Sequence, residues 1–437
     1  VKTAVADKSL IYRAAFEDGR KDESAWRRHA AQRAEALASL LAGALELRGR
    51  EDWVHGSAGE LVAGDTLPVY RTAPAATPAG ASLADAIRLV FVNGVFAAGL
   101  SDCDDLPPGA VVRPLGSGAE ATGLGSALQD HRTALGALNT LFWRDGLHLT
   151  LPAGLQPERP VELHFVNDLG GASGLVPVRN LVQVGDGGRA TVIERFHLGT
   201  AGVVELPLTE VICGIGAEVD HVKLVGGAAE GEHHGSTHVV QGQDSVYRSW
   251  EIVTGGALTR RELHLGLRGT GARCDLNALY MGADSQRFDL RTRVSHEAPG
   301  CETRELYKGV LDDRARGVFD GLIRVARGSQ QTNAHQTNRN LLLSGEAVVN
   351  SIPRLEIYAD DVKCSHGSTT GQLDEDHVFY LRTRGFSPTA ARAYLAWAFA
   401  SEVVDTLPVA GLRDELALLV AQSLEGAVGR LDGERGR

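Results

Sequence analysis

The 437-residue chain has one methionine, 5% aromatic residues, only five cysteines and no excess of positive charge. Each shortage excludes something. With 44 Lys+Arg against 55 Asp+Glu, the net charge is −11, which argues against a nucleic-acid protein, since such proteins carry a basic stripe. No apolar run reaches the roughly 18 residues that a bilayer span needs. The segment Val1–Asp7 lacks the charged-then-apolar order of a secretory signal. Cys103, Cys213, Cys274, Cys301 and Cys364 are odd in number, scattered and without a CxxC pair, so they suit neither a disulfide framework nor a zinc site. A reducing cytoplasm is the expected setting. The motifs GxxxxGK[ST] and GxSxG are missing too, which excludes P-loop hydrolysis and a serine nucleophile elbow in this chain.

Core material is not scarce, because 43% of the residues are hydrophobic. Three textures follow one another. Ser9 to Leu47 is helical, with Trp26, Ala30, Ala34, Leu37, Leu41 and Ala44 at three-to-four spacing and Ser24 as N-cap of the second half. Residues 48–90 are mixed and rich in Gly, Ala and Pro, a weakly ordered connection. Asn93-Gly94 then sits between two apolar runs, the signature of a tight hairpin. Beyond residue 140 the chain becomes a succession of short apolar or alternating runs, among them Val161–Val166, Ala190–Phe196, Val246–Val253 and Val318–Val325, punctuated by Gly, Asp and Asn. No helical pattern separates them, which argues against a doubly wound α/β fold. A sandwich, a barrel or a β-solenoid remains, and so long a stretch suits a stack in which each coil touches its neighbours. No strict repeat period is visible. The tail returns to helix: Ser387-Pro388 supplies an N-cap and a first-turn proline, followed by a stripe of Ala391, Tyr394, Leu395, Ala398, Phe399 and Val403. Leu412, Leu416, Leu419, Val420 and Leu424 mark a second helix. The chain thus divides into an N-terminal helical and mixed region (1–140), a β-body (141–370) and a C-terminal helical region (371–437).

The densest chemistry lies at 336–385. Cys364 and His366 are two apart, so on a strand both project from one face. A thiolate beside an imidazole suits iron, copper or zinc. Two ligands do not close a site, because structural zinc and iron–sulfur clusters take four. The others must come from elsewhere in the fold or from another polypeptide; the alternative is a half-buried thiol beside a surface histidine. Lys363 next to Cys364 favours a lowered thiol pKa. Asp312-Asp313, Asp360-Asp361 and Asp374-Glu375-Asp376 match the residue types of glycoside chemistry. Neighbours on a strand face opposite ways, however, so these read as solvated turn residues. His233, His234 and His238 have a metal-site composition, but Gly231 and Gly235 around them read as a mobile loop. Gly185-Asp186-Gly187-Gly188 opens no helix and is no phosphate cradle.

The same stretch carries a resemblance. Gln336–Ser344, Pro353–Ile357, Asp360–Gly367 and Phe379–Arg382 with Arg384-Gly385 resemble the SufB/SufD family, the scaffold subunits of the SUF iron–sulfur cluster assembly machinery. Weaker similarity runs through Glu305–Leu311, Val318–Gly321, Asn139-Thr140, Arg144–Gly146 and Leu151–Gly154. It extends from near residue 88 to near residue 405. Lys363-Cys364-Ser365-His366-Gly367 resembles the SufD branch, where SufB-type chains usually carry Glu-His-Glu. The N-terminal helix matches poorly, and 226–237 looks like an insertion.

The resemblance implies a mainly β protein: a right-handed parallel β-helix flanked by helical N- and C-terminal regions. It implies a non-catalytic scaffold that works with SufB and the ATPase SufC, with no nucleic acid and no membrane. It also implies that His366 and Cys364 ligate a transient iron–sulfur cluster shared with SufB, and that the isolated chain holds no cofactor tightly. The helix bearing Tyr394, Leu395, Ala398, Phe399 and Val403 would dock SufC. An exposed solenoid end also suits a homodimer of the isolated chain. A SufB-like scaffold is the nearest alternative, followed by an assembly module with no ligand role. A β-helix carbohydrate-active enzyme is the alternative from another class, and it would need acidic and aromatic residues along one face.

Overall fold

The structure, a computed structural model, describes residues 11–18, 29–44, 67–69, 83–102, 106–118, 121–128, 133–199 and 201–435. Its strands are β1 (Ile87–Val92), β2 (Val95–Phe96), β3 (Val111–Pro114), β4 (Leu147–Leu151), β5 (Val161–Val166), β6 (Gly174–Val184), β7 (Arg189–Leu198), β8 (Val203–Cys213), β9 (Glu218–Gly227) and β10 (Glu232–Gln241). They continue as β11 (Val246–Val253), β12 (Leu258–Leu267), β13 (Arg273–Gly282), β14 (Arg287–His296), β15 (Glu302–Leu311), β16 (Arg316–Val325), β17 (Thr332–Leu342), β18 (Val348–Ile357) and β19 (Val362–Gly371). Odd-numbered strands from β5 onward stack in one sheet and even-numbered strands from β4 onward in the other. Each coil from β4–β5 to β18–β19 lays one strand on each sheet, in parallel register. The fold is a two-sheet parallel β-solenoid.

The punctuation seen in the sequence makes the corners. Asp244, Asp284 and Asp313 hold φ of 53°, 52° and 47° between successive strands, and Gly187 and Gly216 hold 63° and 62°. That left-handed geometry favours Gly and tolerates Asp and Asn. The repeat itself is irregular: 26 residues separate Glu232 from its partner Leu258, and 32 separate Arg316 from Val348. Inside, a continuous core runs from Leu89 and Phe91 through Leu163, Val192, Val219, Leu265 and Leu290 to Ile323.

The two ends differ. At one, the short strands β2 and β3 lie outermost, antiparallel to β1 and β4, so little sheet edge is exposed. At the other, β18 and β19 are outermost and each has one neighbour. Their outer N–H and C=O groups are an open template for another strand.

The helices are α1 (Ala30–Ser39), which continues as a π turn over Leu40–Ala44, α2 (Ala134–Phe142), α3 (Glu375–Thr383), α4 (Pro388–Val404) and α5 (Ala410–Arg435). Residues 11–18 are helical as well, while Ser24, Trp26, Cys103 and most of 48–90 lie outside the described residues. The buried face of α1 is Arg33, Ala36 and Leu40, not the expected stripe, and Leu41 is exposed. The reason is Arg33, which donates to Leu141 O at 2.6 Å and Trp143 O at 2.7 Å. It thereby satisfies carbonyls at the C-terminal end of α2. Helix α4 begins as expected, with Ser387 Oγ accepting from Ala390 N at 3.1 Å. Ala396, Ala400, Val403 and Leu407, with Leu412, Leu416, Val420 and Leu424 of α5, cover Ile193, Leu224, Trp250 and Leu279 on the odd-strand sheet.

The Gly231–Gly235 stretch is not a loop. Residues 232–241 form β10, paired with β8 and β12, and His233, His234 and His238 are fully buried. The stretch is a regular coil in the stack. Its glycines permit close approach: a Cβ on Gly231 would lie 2.7 Å from Gly199 O, and one on Gly235 1.7 Å from Arg261 Nη1.

Candidate functional site at the open end

On β19, Ala334 pairs with Cys364 and Gln336 with His366. Cys364 is half-buried and touches the apolar core, so its face of the strand is the inner one. His366, two residues on, shares that face. It is nonetheless exposed, because no further coil covers β19. The thiol and imidazole expected to share a face therefore do so at the rim of an uncapped solenoid.

Burial pushes the Cys364 thiol up, partly offset by a backbone hydrogen bond at Ala334. The expected activation by Lys363 does not occur, because Lys363 is the next residue on the strand and points the other way. Among the described residues, no group of three His, Cys, Asp or Glu is placed to hold a metal ion.

Beneath His366 lies a buried polar column. Gln336, 1% exposed, donates through Nε2 to Glu305 Oε2 at 2.8 Å, and Thr292 Oγ1 donates to the same oxygen at 3.1 Å. Burial pushes Glu305 up to about 7. Deeper in the stack, Glu194 accepts from Thr209 Oγ1 at 2.7 Å and lies 3.3 Å from Lys223 Nζ. Arg261 Nη2 donates to Glu251 at 2.9 Å and Nη1 to His233 Nε2 at 3.0 Å, and His233 Nδ1 is 2.8 Å from Glu205. Burial pushes Glu205 up to about 8 and Lys223 down to about 8. Sequence reasoning missed this interior. The available signal was strand alternation that places charged residues on both faces, as in Asp220-His221-Val222-Lys223.

The carboxylate runs fall at turns, as expected: Asp313 at a corner, Asp360-Asp361 before β19, and Asp374 as N-cap of α3, accepting from Asp376 N at 2.8 Å. Asp312 departs from this, being 1% exposed.

The stripe on α4 splits. Val403 is buried against the solenoid, Leu395 and Phe399 are half-buried, and Tyr394 and Ala398 are exposed. Lys308 on β15 donates to Phe399 O at 2.7 Å, with its ammonium 4.1 Å from the Phe399 ring centroid. The free aromatic face is instead shared by α3 and α4. Phe379 and Tyr380 are 65% and 56% exposed, and the Tyr394 ring packs at a tilt 5.8 Å from Phe386 and 6.0 Å from Trp397. In a chain so poor in aromatics, that concentration on one exposed face is unusual.

The molecule is thus a two-sheet parallel β-solenoid whose last strand carries a thiol and an imidazole, with exposed aromatic rings on the helices that follow it. The model of the SUF system FeS cluster assembly SufBD core domain matches residues 166–399, and the chain belongs to that family. It is 31% identical to the iron–sulfur cluster assembly protein SufD of Escherichia coli over 406 residues, spanning 89% of this chain and 92% of that protein. It is 32% identical to the SufBD family protein slr0076 of Synechocystis over 76% of this chain and 77% of that one. It is 34% identical to the chloroplastic protein ABCI7 of Arabidopsis thaliana over 63% and 61%. The chain is a SufD homologue of the iron–sulfur cluster assembly family. No helix among the described residues is long and apolar enough to cross a membrane.

Proposed function

We propose that this chain is a non-catalytic scaffold subunit that joins SufB and the ATPase SufC in the cytoplasm. A nascent iron–sulfur cluster, the cargo of the assembly, forms where its open end meets SufB. His366 supplies a ligand there, with Cys364 beside it, and SufB supplies the rest. The observation that carries this reading is the placement of both side chains on the inner face of the last, half-paired strand, where a second solenoid can continue the sheet. When isolated, the chain closes the same edge with a second copy. SufC docks on the aromatic face of α3 and α4, and its nucleotide-driven motion reaches the rim because α3 follows directly on β19.

The test is co-expression with SufB and SufC, as wild type and His366→Ala, followed by anaerobic purification. A complex that assembles with strongly reduced visible cluster absorbance supports the ligand role. Unchanged cluster content overturns it and leaves only the scaffold role. Failure of the wild-type chain to form a complex overturns both.

A further inference from the structure

The polar column under the rim holds an atom without a partner. Gln336 spends its amide nitrogen on Glu305 Oε2, while its amide oxygen is buried and accepts no hydrogen bond. In the structure the nitrogen faces Glu305 and the oxygen is turned away from it, the orientation that the ionised carboxylate selects. Thr292 donates to the same Glu305 oxygen and holds the carboxylate in place. Gly321 on β16 makes room for this arrangement, since a Cβ there would lie 2.3 Å from Gln336 Nε2. The strand next to Gln336 carries His366 at the same register position, a step of roughly 4.8 Å between neighbouring strands. A buried acceptor without a donor is costly. The inward-facing residue opposite Gln336 on the neighbouring strand is His366, whose imidazole can donate.

We infer that Gln336, fixed by Glu305, is the positioning residue for His366: its amide oxygen accepts one imidazole N–H and leaves the other ring nitrogen's lone pair facing the open end. A neutral imidazole has one N–H and one lone pair, so the acceptor selects the tautomer and the ring orientation together. That this prepares His366 for a metal ion rests on the function proposed above; the hydrogen bond itself does not.

The full-length chain, labelled with 15N-histidine, tests this through long-range 1H–15N spectra, with His366→Asn assigning the resonance. In wild type, neutral His366 is expected in one dominant tautomer. Gln336→Leu, similar in size but without an acceptor, shifts the tautomer ratio about fivefold, the worth of one hydrogen bond. Glu305→Gln still offers Gln336 an acceptor and keeps the wild-type ratio. An even tautomer mixture in wild type overturns the inference whether or not the leucine variant folds, and so does a Gln336→Leu spectrum identical to wild type. A locked tautomer combined with undiminished cluster content in His366→Ala would support the positioning role and defeat the ligand role.

Discussion

Arg195 on β7 and Glu415 on α5 form a bidentate pair, Nη1 to Oε1 at 2.7 Å and Nη2 to Oε2 at 2.9 Å, while Arg195 Nε donates to Glu162 Oε1 at 2.6 Å. One buried guanidinium thus fastens the C-terminal helices to the solenoid. Glu415→Ala would leave Arg195 half-paired. Because Glu415 is about one-third exposed, the expected loss is modest, about 1–2 kcal/mol. Hydrogen exchange across α4 and α5 should rise, with exchange in β9–β13 little changed.

Gly235 has no room for a side chain, because a Cβ would meet Arg261 Nη1 at 1.7 Å. Arg261 holds Glu251 and His233 in a space without water access. Gly235→Ala should therefore destabilise the chain by about 2–4 kcal/mol, by displacing one member of a buried charged network. A denaturant midpoint unchanged from wild type would contradict this.

The pH dependence of stability carries a signature of Glu305. Its pKa rises on folding, so between the unfolded carboxylate range and about 7 the folded state binds more protons than the unfolded state. Its contribution is therefore fully present at low pH and is lost as pH rises through about 7. Glu305→Gln removes that loss. Relative to wild type, the variant should gain stability from pH 5 to pH 8, by up to about 3 kcal/mol. His296, lowered to about 4 by burial, acts in the opposite direction in both proteins and cancels in the difference.

Much of this was legible in the sequence. The runs Val161–Val166 and Val246–Val253 are strands with those very limits, and Asn93-Gly94 turns a hairpin with φ of 50° and 75°. The thiol and imidazole share a face because strand geometry requires it. The solenoid repeat was hidden because corner lengths vary while register is kept, so sequence period and structural period diverge. The histidines of β10 were misread because Gly231 and Gly235 serve close packing, and composition cannot distinguish that from chain mobility. The polar interior was hidden for a related reason: a charged residue inside a strand signals exposure unless its partners, on the facing sheet or the adjacent coil, are known.

The exposed rings of Phe379 and Tyr394 offer a test of partner docking. Phe379→Ala with Tyr394→Ala touches no buried contact of the solenoid and should change stability by less than about 1 kcal/mol. SufC binding should weaken at least about tenfold, in keeping with aromatic anchors at an interface. Unchanged SufC affinity in titration calorimetry would move the docking surface elsewhere.

The central claim is that His366 ligates a cluster shared with SufB. Pulsed electron paramagnetic resonance on the reduced complex, with 15N-histidine incorporated only in this chain, tests it most directly. The account predicts a strong 15N coupling to the cluster that disappears in His366→Ala. A cluster of normal content that shows no 15N coupling from this chain would contradict it.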